Sequence, residues 1–204
     1  MKSLVTKIMH HILRFCYPYL KDIEREQISL INAKLRKSFK HLGENSGLGE
    51  NYDINGPQYI SIGDNLIVRR AIRLDAISEA NGQSFNPQLT IGNNVQFGEY
   101  CHIGCICNVS IGSGALIADR VFITDHFHGE INANSLQLRP GARPLSGKPV
   151  KIGNNVWIGE SVSIMPGVIL GDNVIVGANS VVTHSFPENV VIAGCPAKVI
   201  KSLS

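Results

Sequence analysis

Charge is scarce in this chain: only 17% of its 204 residues are Asp, Glu, Lys or Arg, and the formal balance is +3. So weak a bias lacks the dense basic stripe that a phosphate backbone selects, and nucleic acid is not an expected partner. Long apolar runs are missing too. Near the N-terminus His10, His11 and Arg14 break the hydrophobic run too early for a membrane span or a signal peptide. Five cysteines cannot all pair within one chain, and such a set suits a reducing cytoplasm. Beyond residue 42 the 3.6-residue period of an amphipathic helix is absent as well.

What stands in its place is a period of six. Aliphatic residues recur without a break at Ile152, Ile158, Ile164, Leu170, Val176 and Val182. Four positions after each come residues that are small or β-branched in most cases: Val156, Val162, Val168, Val174, Ser180. Gly follows the aliphatic in IGNNVW, IGESVS, LGDNVI and VGANSV. This pattern fits a coil of short strands joined by sharp corners, with Gly or Asn supplying each turn.

The same register runs through 91-97-103 and 111-117-123, can be read at 62-68-74, and survives in degraded form at Leu42, Leu48 and Ile54. Irregularity always falls after the third hexad. Three faces per turn make a triangular prism of 18-residue coils, and every insertion leaves from one vertex. The chain is therefore expected to be all-β, with about five or six triangular coils. A β-sandwich would need hairpin turns at irregular spacing, which this ruler does not provide.

Residues 1–42 read differently. Leu4, Ile8, Ile12, Phe15 and Tyr19 follow helical spacing, as do Ile28, Ile31, Leu35, Phe39 and Leu42 after Pro18 interrupts. This segment holds nine Lys and Arg against three acids. Two readings stand: a helical cap on the prism or on a neighbouring subunit, and a basic amphipathic anchor making weak membrane-surface contact through residues 1–20. The division is then a helical segment, 1–42, and a β-helix domain, 43–204.

Among the cysteines, Cys101 and Cys107 fall in inward small-residue slots and Cys105 is expected to point outward. That alternation splits C-x3-C-x-C and His102 between core and surface, so no metal site is expected there. Arg69, Arg70 and Arg73 crowd the first regular coil as a solvated face or as partners of an anionic group. Glu99, Tyr100 and His102 on the next coil are candidates to line a groove but carry no motif. Residues 79–90 form a first excursion. The third of the 111-117-123 hexads ends in ITDHFHGE, where Phe127 replaces a small inward residue, so regular coil should stop there. From that point a long loop, 129–149, leaves the scaffold. A loop of that length in so regular a frame marks function.

The repeat and the closing run VGANSVVTHSFPENVVIAGCPAKVI resemble the hexapeptide-repeat acyltransferases, especially the galactoside, maltose and capsular-sugar O-acetyltransferases. The similarity covers about residues 60–201. It implies a left-handed parallel β-helix, a homotrimer, and acetyl-CoA as cosubstrate without a metal. It also makes His126, in TDHFHG just before the long loop, the base for a sugar or polysaccharide-precursor hydroxyl. Imidazole suits that task because it titrates close to neutrality. Matching motif to motif, the resemblance puts Trp157 and Gly159 near the pantetheine thiol, Ala178 and Thr183 along the pantetheine arm, and Lys198 and Lys201 at the phosphates. Two positions depart from the galactoside-type pattern: Glu160 stands for a Ser and His184 for a Lys. Alternatives stay open. The acceptor is a hydroxyl or the amine of a nucleotide-linked amino sugar, and a non-catalytic β-helix scaffold is the rival outside enzymes. A γ-type carbonic anhydrase needs wider His spacing than His126 and His128 offer.

Overall fold

A computed structural model of the chain describes residues 12, 14–19, 22, 23, 26, 30, 33–129 and 136–203. They fall into two units, Met1–Ser38 and Phe39–Ser204. In the first, the described positions from 12 to 36 are helical, Pro18 among them. Leu4, Ile8, Ile28 and Ile31 of the expected apolar stripe, and residues 130–135 of the long loop, lie outside the described residues. Among those described, no helix is long and apolar enough to cross a membrane.

The second unit is the prism. Its first face stacks His41–Leu42, Ile60–Ile62, Gln88–Ile91, Asn108–Ile111, Val150–Ile152 and Ile169–Leu170 as parallel strands. The second stacks Ile67–Arg70, Gln96–Glu99, Leu116–Ile117, Trp157–Ile158, Ile175–Val176 and Val190–Gly194, and ends on the antiparallel strand Ala197–Ser202. The third stacks Asp53–Asn55, Arg73–Ala76, His102–Cys105, Phe122–Thr124, Ser163–Ile164 and Val181–Val182. The result is a left-handed parallel β-helix of six coils; the first coil has only the isolated bridge of Glu50 to Arg70 on the second face, and Val190–Gly194 extends that face past the sixth.

The sixth-position aliphatics set this register. Ile62, Ile91, Ile111, Ile152 and Leu170 lie in direct register on the first face. Ile54, Leu74, Ile103, Ile123, Ile164 and Val182 do the same on the third. Nearly all of them are sealed from solvent, and each contributes on the order of 1.5–3 kcal/mol by burial. A one-residue slip would turn a whole column outward, so the pattern is self-enforcing.

Corners need residues that tolerate positive φ. Between the first and second faces that role falls to Asn45, Asn65, Asn94, Gly114, Asn155, Asn173 and Asn189. The Asn side chains also bond along the column, Asn65 Nδ2 donating to Asn94 Oδ1 at 3.0 Å and Asn173 Nδ2 to Asn189 Oδ1 at 2.9 Å. Asn suits the site because its short amide tolerates the left-handed conformation and hydrogen-bonds to its neighbours.

Every long insertion leaves between the third and first faces. One carries the hairpin Glu79–Ala80 on Gln83–Ser84. The other starts at Asp125, and its ends close as an antiparallel pair, His126–His128 on Leu145–Gly147. Phe127 is thus outside the coil, as the repeat predicts. The two insertions are stitched together. Gln83 bonds both backbone groups of Leu145, at 2.6 and 3.2 Å, and Asn81 Nδ2 donates to Arg143 O at 2.7 Å.

The cysteines require a correction. Cys101 is buried, but Cys105 is buried too and Cys107 only partly so. Strand His102–Cys105 runs one residue past the usual corner, so its alternation carries Cys105 back inward beside Ala76. The next strand then turns Val109 and Ile111 inward and leaves Cys107 at the corner.

Candidate active site

His126 sits where the third face gives way to the long loop. Asp125, fully buried, is the last residue in coil register and lies in the column of Ala76 and Cys105. Its Oδ1 accepts the Ile106 N–H at 2.9 Å and its Oδ2 the Cys107 N–H at 2.8 Å, which locks the carboxylate to the coil below. His126 Nδ1 lies 3.1 Å from Asp125 Oδ1 and 3.2 Å from Thr124 Oγ1. A carboxylate oxygen that already takes a backbone N–H offers a second lone pair, so Nδ1 is the donor and carries the proton. Nε2 is left with its lone pair and no partner among the described residues.

Gly104 seats the ring. A Cβ built at residue 104 would stand 3.0 Å from His126 Cε1, so a glycine lets the imidazole lie close over the strand. The ring is tightly held, its side chain only 10% exposed.

In front of it opens a cavity of about 310 Å³. The outer side of the third face forms its floor, with Arg73, Asp75, His102, Gly104, Phe122 and Thr124. The two stitched insertions form its walls, through Asn81 and Leu145, and His128 lines it as well. That volume suits one small ligand. Arg73 Nε donates to Asp75 Oδ2 at 2.7 Å and His102 Nε2 does so at 2.9 Å. The ring of His102 lies 5.2 Å from that of Phe122. The other two arginines of the first regular coil are neutralised elsewhere: Arg69 and Arg70 pair with Glu99, each at 3.5 Å, and Arg70 also meets Tyr100 Oη at 2.6 Å.

The residues matched to a cofactor lie apart from this cavity. Trp157, half exposed, stands on the second face in register with Leu116 and Ile175. Gly159 and Ala178 touch on consecutive coils, a Cβ at 159 reaching within 2.7 Å of the Ala178 nitrogen. Thr183 is exposed beyond the last strand of the third face, and Lys198 and Lys201 are exposed on the antiparallel end of the second. None of the six lines the cavity that holds His126. Glu160, one of the departures, pairs with Arg120.

Sequence reasoning missed Asp75, Gly104 and Thr124; of the groove candidates Glu99, Tyr100 and His102, only His102 lines the cavity. A signal existed. Gly follows the inward aliphatic in most hexads, yet Asp75 and Thr124 stand in that place, flanking Gly104 in register. Such substitutions on neighbouring strands mark an outer surface used for something besides coil packing. Among the described residues, no three His, Cys, Asp or Glu side chains group as a metal site.

Comparison with known proteins gives a consistent family. A family model described as bacterial transferase hexapeptide (six repeats) matches residues 149–184. An Escherichia coli (strain K12) protein described as the lipopolysaccharide biosynthesis O-acetyl transferase WbbJ is 44% identical over 146 residues, covering 70% of this chain and 71% of the relative. A galactoside acetyltransferase solved in complex with coenzyme A superposes with a TM-score of 0.59 at 28% identity, covering 85% of this chain and 70% of that one. The Bacillus cereus N-acyltransferase AntD, solved with an amino-sugar nucleotide and coenzyme A, shares the fold, with a TM-score of 0.70 at 24% identity over 85% of this chain and 89% of that one.

Proposed function

Because the chain belongs to the hexapeptide-repeat acyltransferases, we propose that it transfers an acetyl group from acetyl-CoA to a hydroxyl of a sugar or polysaccharide precursor. One observation carries this reading: a buried Asp125 fixes the tautomer of His126 and leaves Nε2 without a partner among the described residues, beside a cavity of ligand size. The named relatives, an O-acetyl transferase and a galactoside acetyltransferase with bound coenzyme A, support the same chemistry.

Acetyl-CoA supplies an activated thioester carbonyl. His126 Nε2 takes the proton of the acceptor hydroxyl as its oxygen bonds to that carbon, and Asp125 stabilises the resulting imidazolium. As the C–S bond breaks, His126 returns the proton to the departing sulfur, so an ester and a thiol leave the site. No acyl-enzyme is needed. Cys101 and Cys105 are buried, and desolvation raises both thiols, Cys101 to about 11, which makes them poor nucleophiles.

The cofactor contacts are Trp157, Gly159, Ala178, Thr183, Lys198 and Lys201. Trp157, Lys198 and Lys201 lie on the second face and none of the six lines the His126 cavity, which supports a site completed by a neighbouring chain. We place acetyl-CoA between copies of a homotrimer, and the exposed apolar neighbours Leu116 and Trp157 on the second face, with Ile67 beyond Gln96, support that contact. Five free thiols accord with a cytoplasmic protein. The experiment is thiol release from acetyl-CoA against a panel of glycosides and amino-sugar nucleotides. Turnover with glycosides supports a hydroxyl acceptor. Turnover confined to amino sugars reassigns it to an amine, and no turnover with any acceptor returns the fold to a scaffold.

A further inference from the structure

We propose that Asp75 and His102 form the acceptor-recognition subsite, and that they select a neutral sugar with a free hydroxyl beside the one that reacts. This rests on the acetyl-transfer reading. The bonding of Asp75 is lopsided. Its side chain is only 8% exposed, yet Arg73 and His102 both donate to Oδ2, and Oδ1 has no partner among the described residues. A carboxylate kept only for structure would have donors shared over both oxygens. Among the described residues no sealed side-chain oxygen lacks a partner, so Oδ1 opens to the cavity that Asp75 lines.

His102 extends the same pattern. Its Nε2 donates to Asp75, which leaves Nδ1 with a lone pair and no partner among the described residues. The pair therefore shows the cavity two acceptor atoms and calls for donors. A hydroxyl meets that demand, whereas a phosphate or carboxylate set against Asp75 Oδ1 would meet like charge, and the Arg73 guanidinium that also lines the cavity is already paired with Asp75.

Register places this subsite relative to the base. Asp75, Gly104 and Thr124 are direct partners on adjacent strands, and the His126 ring lies over Gly104. Asp75 is thus one strand away, about 4.8 Å, in the same outward column. A sugar hydroxyl on His126 Nε2 puts its ring neighbour at Asp75. The Phe122 ring beside His102 offers an apolar patch to the sugar's C–H face.

The test uses the full chain with methyl β-galactopyranoside and its single-deoxy derivatives, on wild type, Asp75→Ala, the isosteric Asp75→Asn, His102→Gln and His126→Ala. Losing a bond to a charged group should raise acceptor KM in Asp75→Ala about 10- to 100-fold with kcat changed only a few-fold. Acetyl-CoA affinity by calorimetry should be unchanged. One deoxy derivative should be as poor for wild type as the full glycoside is for Asp75→Ala, and that variant should no longer distinguish the two. Asp75→Asn keeps the question answerable if the Ala variant does not fold. Unchanged acceptor KM in folded Asp75→Asn and His102→Gln overturns the proposal, and so does wild type that accepts only anionic sugars. If those variants act normally while His126→Ala is inactive, acetyl transfer stands and only the subsite fails. If His126→Ala also keeps turnover, the catalytic reading itself has failed.

Discussion

A base is only as good as its seat, and at the scale of single residues the proposed base His126 is held by three separate devices. Asp125 fixes Nδ1, Thr124 supports it, and Gly104 makes room for the ring. Removing the imidazole should lower kcat about 10²- to 10⁴-fold, the range for a lost general base. Acetyl-CoA affinity should hold, because the proposed contacts lie from Trp157 onward. His128 is exposed and only lines the cavity, so His128→Ala should act mainly on acceptor KM. Steady-state kinetics and calorimetry on both variants check this; a near-normal His126→Ala beside a dead His128→Ala would shift the motif by two residues.

Cys101 makes a second residue-scale prediction. Burial raises its thiol from an ordinary 9.0 to about 11, so the folded chain keeps the proton that the unfolded chain releases. The stability this gives is complete below the unfolded value and declines as pH climbs toward 11, by about 1.4 kcal/mol per unit at most. Urea midpoints at pH 8 and pH 10 should differ less in Cys101→Ala than in wild type. Equal slopes in the two proteins would show that this thiol does not titrate with unfolding.

At the scale of elements, the corners do as much as the strands. Asn65 holds positive φ and donates to Asn94 in a column that repeats from coil to coil. Asn65→Ala keeps the helix of strands but loses the ladder bond and strains the corner. It should cost about 1–2 kcal/mol. Asn65→Gly, which loses the bond but not the conformation, should cost less. Denaturant titration of the pair separates the two contributions, and a larger loss in the Gly variant would contradict the strain argument. The second corner column has fewer Asn residues. Ala71, Tyr100, Arg120 and Ser161 adopt the same conformation there, next to the face that carries the cavity floor.

For the whole molecule, the layout of the prism supports the proposed site shared between chains. His126 faces a cavity built on the third face, while the exposed apolar residues Ile67, Leu116 and Trp157 and the two lysines belong to the second. Sedimentation should give a homotrimer. Leu116→Glu, a charge among those apolar residues, should lower both assembly and turnover together. A stable monomer with full activity would remove the shared site.

The sequence by itself determined the coil. A period of six in large aliphatics can be satisfied only by stacking, and Gly or Asn after each face closes the corner, so both strand register and insertion vertex were legible. Through the resemblance of TDHFHG it also pointed to His126 as the proposed base, just before the long loop. Only the tertiary structure decided the rest. Asp75 is separated along the chain by a turn of the prism from His102 and Gly104, which share one strand, and meets them because coils stack, a relation no local window contains. Cys105 turned inward for a similar reason. Its strand runs one residue past the corner, and strand length depends on hydrogen bonds to the neighbouring coils rather than on local spacing.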